Sequence, residues 1–166
     1  MATKTDFTPD EWAKLVESVM LASIAITAAD PSGLWGTLKE GFATAKVMSA
    51  AKNSGSGLIT EVVTALQTSE GRTIAQDQLK QRMAGAKAAD IVQRSVSELA
   101  AVGALLDSKA GSDAPIFKQW LFDTAVRVAE ASTEGDFLGF GGVKVSDKEK
   151  ATLGQIAGAL NIANVA

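Results

Sequence analysis

Apolar residues recur along this chain at helical spacing, and almost nowhere in strand alternation. Leu15, Val16, Val19, Met20, Ile24 and Ile26 spread around the cylinder of a first helix. A helix apolar on most sides belongs in the middle of a bundle. Thr8-Pro9-Asp10-Glu11 marks its start: Thr8 as N-cap, Pro9 at the first helical position, Glu11 reaching back as a capping box. Phe7 and Trp12 fall where a hydrophobic staple would set the direction of the incoming chain. Asp30-Pro31-Ser32-Gly33 ends this helix, because proline blocks continuation and its predecessor avoids the α region.

The next helix carries Leu34, Leu38, Phe42 and Ala45 on one face and runs to about Lys52. Gly36 and Gly41 inside it signal close helix contact, since each costs about 1 kcal/mol relative to Ala. Asn53-Ser54-Gly55-Ser56-Gly57 is expected as a flexible connector. A third helix runs from Leu58 to about Thr68, with Ile59, Val62, Val63 and Leu66 on its apolar side, and Glu70-Gly71 is expected to break it. Thr73 to Lys109 is one helix or two, with Gly85 the weak point. Val92, Val96, Leu99, Gly103 and Leu106 step by four and three residues in a stripe suited to antiparallel packing. Asp90, Arg94 and Glu98 step by four on another face, expected as a solvated stripe of alternating sign.

Gly111-Ser112-Asp113 with Pro115 closes that segment and opens another, lined by Ile116, Phe117, Trp120, Leu121, Ala125 and Val128. The last helix has a second capping box, Ser146 with Glu149, followed by Leu153, Ile156 and Leu160. The short alternation Val143-Lys144-Val145 is the single strand-like signal. The expected fold is all-α: one domain over 1–166, a bundle of six or seven helices with a Gly/Phe-rich loop before the last. Residues 1–7 are expected to be a short flexible N-terminus.

Composition sharpens this picture. The chain holds 29 Ala against 3 Pro and no Tyr, which favours helix over sheet. With 46 % hydrophobic and 21 % charged residues it is neither disordered nor fibrous. A chain of 166 residues buries about 70 % of its unfolded surface, enough for a core without metal or disulfide. The net charge of −3 does not suit a nucleic-acid binder, which needs a basic face.

His and Cys are both absent. Zinc, iron–sulfur and haem ligation of the usual kinds therefore fall away, as do Ser-His-Asp and Cys-His nucleophiles. A Ser-Lys pair or two carboxylates could still perform acid–base chemistry, and a hard cation could be held by oxygens. Paired carboxylates exist, Asp147 with Glu149 and Glu11 near Glu17, and both pairs are expected to be solvated surface charge. Met1 to Asp6 shows no signal-peptide core. The low-charge run Ser18 to Ala29 is shorter than the roughly 20 residues that span a bilayer. No helix joins a basic face to a large apolar one, as membrane-surface binding would ask. The expectation is a cytoplasmic protein without catalytic machinery or cofactor.

Two places stand out as contact candidates. Glu134 to Gly142 alternates glycines with Phe137, Leu138 and Phe140. It lacks the Lys and Ser/Thr of a phosphate loop, since Val143 follows the last glycine. Its aromatics either pin the loop to the bundle or form a tip that inserts into a partner. Trp35 falls in a first turn beside the proline loop and is the second candidate. Trp12 and Trp120 sit among core positions, where the indole N–H is expected to reach a partner or water.

Val128-Ala129-Glu130-Ala131, a glycine-containing loop, then Val145-Ser146-Asp147-Lys148-Glu149-Lys150 and Leu153-Gly154-Gln155-Ile156-Ala157 resemble the end of a tellurite-resistance TerB-like helical domain. The likeness covers about the last 35 residues. It implies a metal role for the acidic positions Glu134, Asp136 and Glu149. Thr27 to Trp35 resembles a bacterial all-α family to which no activity attaches. Three functions remain open: a self-associating interaction scaffold, a bundle binding a small hydrophobic ligand or lipid with Met20, Met48 and Met83 adapting to the guest, and a TerB-like stress-associated metal or signal binder.

Overall fold

The structure, a computed structural model, describes residues 1–29, 51, 54–133 and 145–163. Among the described residues there are six α-helices and no strand, and the domain is an all-α bundle. In chain order they are α1 (Pro9–Ala29), α2 (Gly57–Gln67), α3 (Ser69–Arg82), α4 (Ala88–Lys109), α5 (Asp113–Thr133) and α6 (Asp147–Ala159). The helix expected over Leu34 to Lys52 lies outside the described residues apart from Ala51, which is helical and buried.

α1 is the central rod and packs against each of the other five. Its predicted cap is present: the Thr8 N–H donates to Glu11 Oε2 at 2.8 Å and the Glu11 N–H to Thr8 Oγ1 at 3.3 Å. Leu15, Leu21, Ala22, Ala25 and Ile26 are fully buried. The helix starts well before the apolar run Ser18–Ala29, so it reaches 21 residues. By length and composition α1 could cross a bilayer, but most of its apolar stretch is buried within the bundle. α4 lies antiparallel to it, since Lys109 at the end of α4 bridges Glu11 at the start of α1 (2.7 Å).

The antiparallel stripe on α4 falls as predicted. Leu99, Gly103 and Leu106 are buried and Val92 and Val96 half-buried, with Ser95 and Val102 joining them. Gly103 lets two elements approach α4 at once. A Cβ there would lie 3.3 Å from the carbonyl oxygen of Ala159 and 3.7 Å from Lys118 Cε. On α5, Phe117, Trp120, Leu121, Ala125 and Val128 are buried, with Trp120 edge-on to Phe117 at 5.3 Å between centroids. Ile116 departs from the expected lining: it is 39 % exposed, because one residue back from Phe117 is a turn of 100° away from the core. The capping box on α6 is present, with Glu149 N–H to Ser146 Oγ at 3.2 Å and Ser146 N–H to Glu149 Oε2 at 2.9 Å. At its other end Asn161 takes φ 53°, Ile162 N–H reaches the Ala157 carbonyl and Asn161 N–H that of Gly158, a Schellman closure.

Three local expectations are corrected, and one alternative that the sequence left open is decided. Residues 1–7 form a short 3-10 turn over Lys4–Asp6 with Ala2 and Phe7 buried, because backbone N–H groups there find carboxylates: Ala2 to Asp113 at 2.7 Å and Lys4 to Glu61 at 2.6 Å. The connector's end is structured too, with Ser56 buried as the cap of α2 and Gly57 already helical. The break after α2 falls at Thr68, not at Glu70-Gly71, since the Thr68 hydroxyl accepts from Gly71 N–H at 3.0 Å and thereby starts α3. A side chain at Gly71 would run into the Ala65 carbonyl, so glycine permits this tight corner. Finally, Thr73–Lys109 is two helices joined through Gly85 at φ 68°.

Candidate functional site

The polar groups that the bundle buries are the natural place to look for chemistry. Glu17 belongs to α1, whose apolar neighbours carry it inside, and its side chain is only 1 % exposed. Arg82, the last residue of α3, places Nε 3.0 Å from both Glu17 oxygens. Its Nη1 lies 2.9 Å from Glu98 Oε1 on α4, so one guanidinium joins three helices. Burial pushes the Glu17 carboxyl above its ordinary value, against the opposing pull of Arg82, while Glu98 adds to the rise and Lys14 opposes it. The expectation that Glu17 is a solvated surface carboxylate is therefore corrected.

The stripe expected to be solvated on α4 is exposed at Asp90 and Arg94 and half-buried at Glu98, and each of its side chains has a partner. Glu98 belongs to this triad, Asp90 accepts from the Lys87 N–H at 3.1 Å, and Arg94 Nη1 donates to the carbonyls of Arg82 (2.8 Å) and Ala84 (3.2 Å). Arg94 thus covers open carbonyls at the end of α3.

A second buried carboxylate, Asp113, begins α5. One oxygen accepts from the Ala2 N–H and the other from the Ser56 hydroxyl, each at 2.7 Å. Its charge sits in the first turn of α5, where the helix dipole favours an anion. The third is Glu149, buried at the α6 cap, where it serves the backbone of Ser146. On α5, Lys118 threads its stem past Gly103 to reach Asp107 at 2.6 Å, an amphipathic side chain burying its carbons and delivering its charge to the rim. Near the bundle end, Lys109 and then the Thr8 N–H hold Glu11 below the usual carboxylate range.

Of the residues singled out from sequence, Trp35, Phe137, Leu138 and Phe140 lie outside the described residues, as do Glu134, Asp136 and Met48. Glu149 is a capping residue, and among the described residues no three acidic side chains gather as a cation site. Trp12 is half-buried with Lys4 Nζ 5.7 Å from its ring centre. Trp120 is buried, and its Nε1 has no protein acceptor among the described residues. Ser95 Oγ is buried in the same condition. Sequence reasoning missed Glu17, although a charge on a helix apolar all round has no wet side to occupy. No protein-family model matches this sequence, and neither a curated protein nor a solved structure matches it.

Proposed function

We propose that this protein is a non-enzymatic scaffold that associates with copies of itself. The observation that supports the reading is the use made of the buried carboxylates. Glu17, Asp113 and Glu149 each close on the chain's own guanidinium, amide or hydroxyl groups, and each fastens an element in place. A carboxylate meant for acid–base work must reach a reacting atom; Glu17 is shut away from solvent beneath Arg82. The charge of −3 keeps repulsion between copies small, and the abundance of Ala and Gly suits close helix contact.

Native mass spectrometry of the purified chain, paired with a denaturing run, tests this reading. The expected result is a defined multiple of 17.1 kDa with no additional mass, lost stepwise on dilution. Trp35→Ala and Phe137→Ala/Phe140→Ala then separate the two contact candidates. A monomer carrying a few hundred daltons that vanish on denaturation would overturn self-association in favour of a hydrophobic ligand inside the bundle.

A further inference from the structure

α3 is held to the bundle differently from its neighbours. Of its 14 residues only Ala75 is buried, Leu79 is half-buried, and most of the remainder is exposed and polar. Helices in proteins owe most of their stability to a buried apolar face, and this one has little. Its polar ties gather at its last residue, where Arg82 grips Glu17 and Glu98 while Arg94 holds the carbonyls of Arg82 and Ala84, and Leu79 and Met83 add apolar contact with the core beside them. Both ends of α3 are jointed. Thr68 caps two helices at one end, and Gly85, at φ 68° with open space around it, turns the chain at the other.

We propose that α3 is a strap that leaves the bundle as a unit when the Arg82 clasp opens, uncovering the Glu17 side of α1. Opening trades a buried ion triad for three hydrated charges, and such trades run close to balance because desolvation offsets most of the Coulomb attraction. The rise of the Glu17 pKa on burial accords with this, since water restores what burial takes away. α1, α4 and α5, by contrast, separate only by exposing Leu15, Leu99, Leu106 and Phe117. The strap is thus a low-energy opening unit set on a high-energy core. It goes beyond self-association and does not depend on it.

Hydrogen–deuterium exchange of the full chain, read by mass spectrometry near neutral pH, tests the strap. In the unaltered protein, amides of residues 73–82 exchange ahead of those in the middle of α4 and α5. Arg82→Gln accelerates the α3 amides about tenfold to a hundredfold, and they still exchange ahead of the middle of α4 and α5, which accelerate only as far as the loss of global stability carries them. Glu98→Gln leaves the Glu17–Arg82 contact in place and gives a smaller acceleration of α3, which keeps the test decisive should Arg82→Gln fold poorly. Wild-type α3 protected as well as α4, or α3 amides unmoved in both variants, overturns the proposal.

Discussion

Replacing Arg82 with Ala removes the cation that lies against both oxygens of Glu17 and leaves a carboxylate enclosed by helices. At an N–O separation of 3.0 Å the charge centres are about 4 Å apart, worth about 4 kcal/mol at an effective dielectric of about 20. Deleting one member of a buried pair costs about 3–5 kcal/mol, because the other stays desolvated. The low end applies here: Arg82 and Glu98 are 23 % and 28 % exposed, and lifting α3 admits water to Glu17. We expect a loss of about 3 kcal/mol near pH 7, lowering the melting temperature by roughly 6–12 °C for a chain of this length. Glu17→Gln alone costs about 1 kcal/mol or less, and added to Arg82→Ala it restores about 2 kcal/mol.

The pH dependence has a definite sign. Glu17 holds its proton more tightly in the folded chain than at its unfolded value near 4.5. Its contribution to stability is therefore full below that value and is lost as pH rises through the raised folded value. Without Arg82 to oppose burial the folded value climbs further, so the Arg82→Ala loss is largest near neutral pH and shrinks on acidification. Urea unfolding followed by tryptophan fluorescence, at about pH 7 and about pH 5, reads both quantities. A loss below about 0.5 kcal/mol, of the size found for exposed pairs, would refute the reasoning. So would a loss that is the same at both pH values, since Glu17 would then not be the group left stranded.

Two further substitutions probe other parts of the frame. Asp113→Ala strands the Ala2 N–H and the Ser56 hydroxyl and should cost about 2–4 kcal/mol, with faster proteolysis of residues 1–7; Asp113→Asn should fall between it and the unaltered protein, and thermal melts with limited trypsin digestion check both. Gly154→Ala adds a Cβ into open space on α6 and should raise stability by about 0.5–1 kcal/mol, whereas Gly71→Ala should lose about 1 kcal/mol or more against the Ala65 carbonyl, although both glycines are helical and gain the same intrinsic propensity.

How much was legible in the sequence differs from element to element. The caps of α1 and α6 were readable because Thr8 with Glu11 and Ser146 with Glu149 act over three residues. The stripe Leu99, Gly103, Leu106 was readable because helical period alone places it on one face. Thr68 and Gly71 misled, since a glycine in a first turn looks in sequence like one that ends a helix. Ile116 misled because an apolar residue beside a core position need not itself be inside. Glu17 could have been found from its neighbours Leu15, Val16, Ser18 and Val19, all buried with it.

The sequence by itself determined that this chain is helical, where α1, α5 and α6 start, and which faces are apolar. Those properties follow from backbone geometry and from interactions across three or four residues. Only the tertiary structure decided which donor each buried carboxylate meets. Glu17 with the Arg82 guanidinium spans 65 residues, and Asp113 with the backbone N–H of Ala2 spans 111. Local periodicity carries no information about which helices become neighbours. Once packing makes them neighbours and expels water, a buried carboxylate must find a donor, and these bonds are the result.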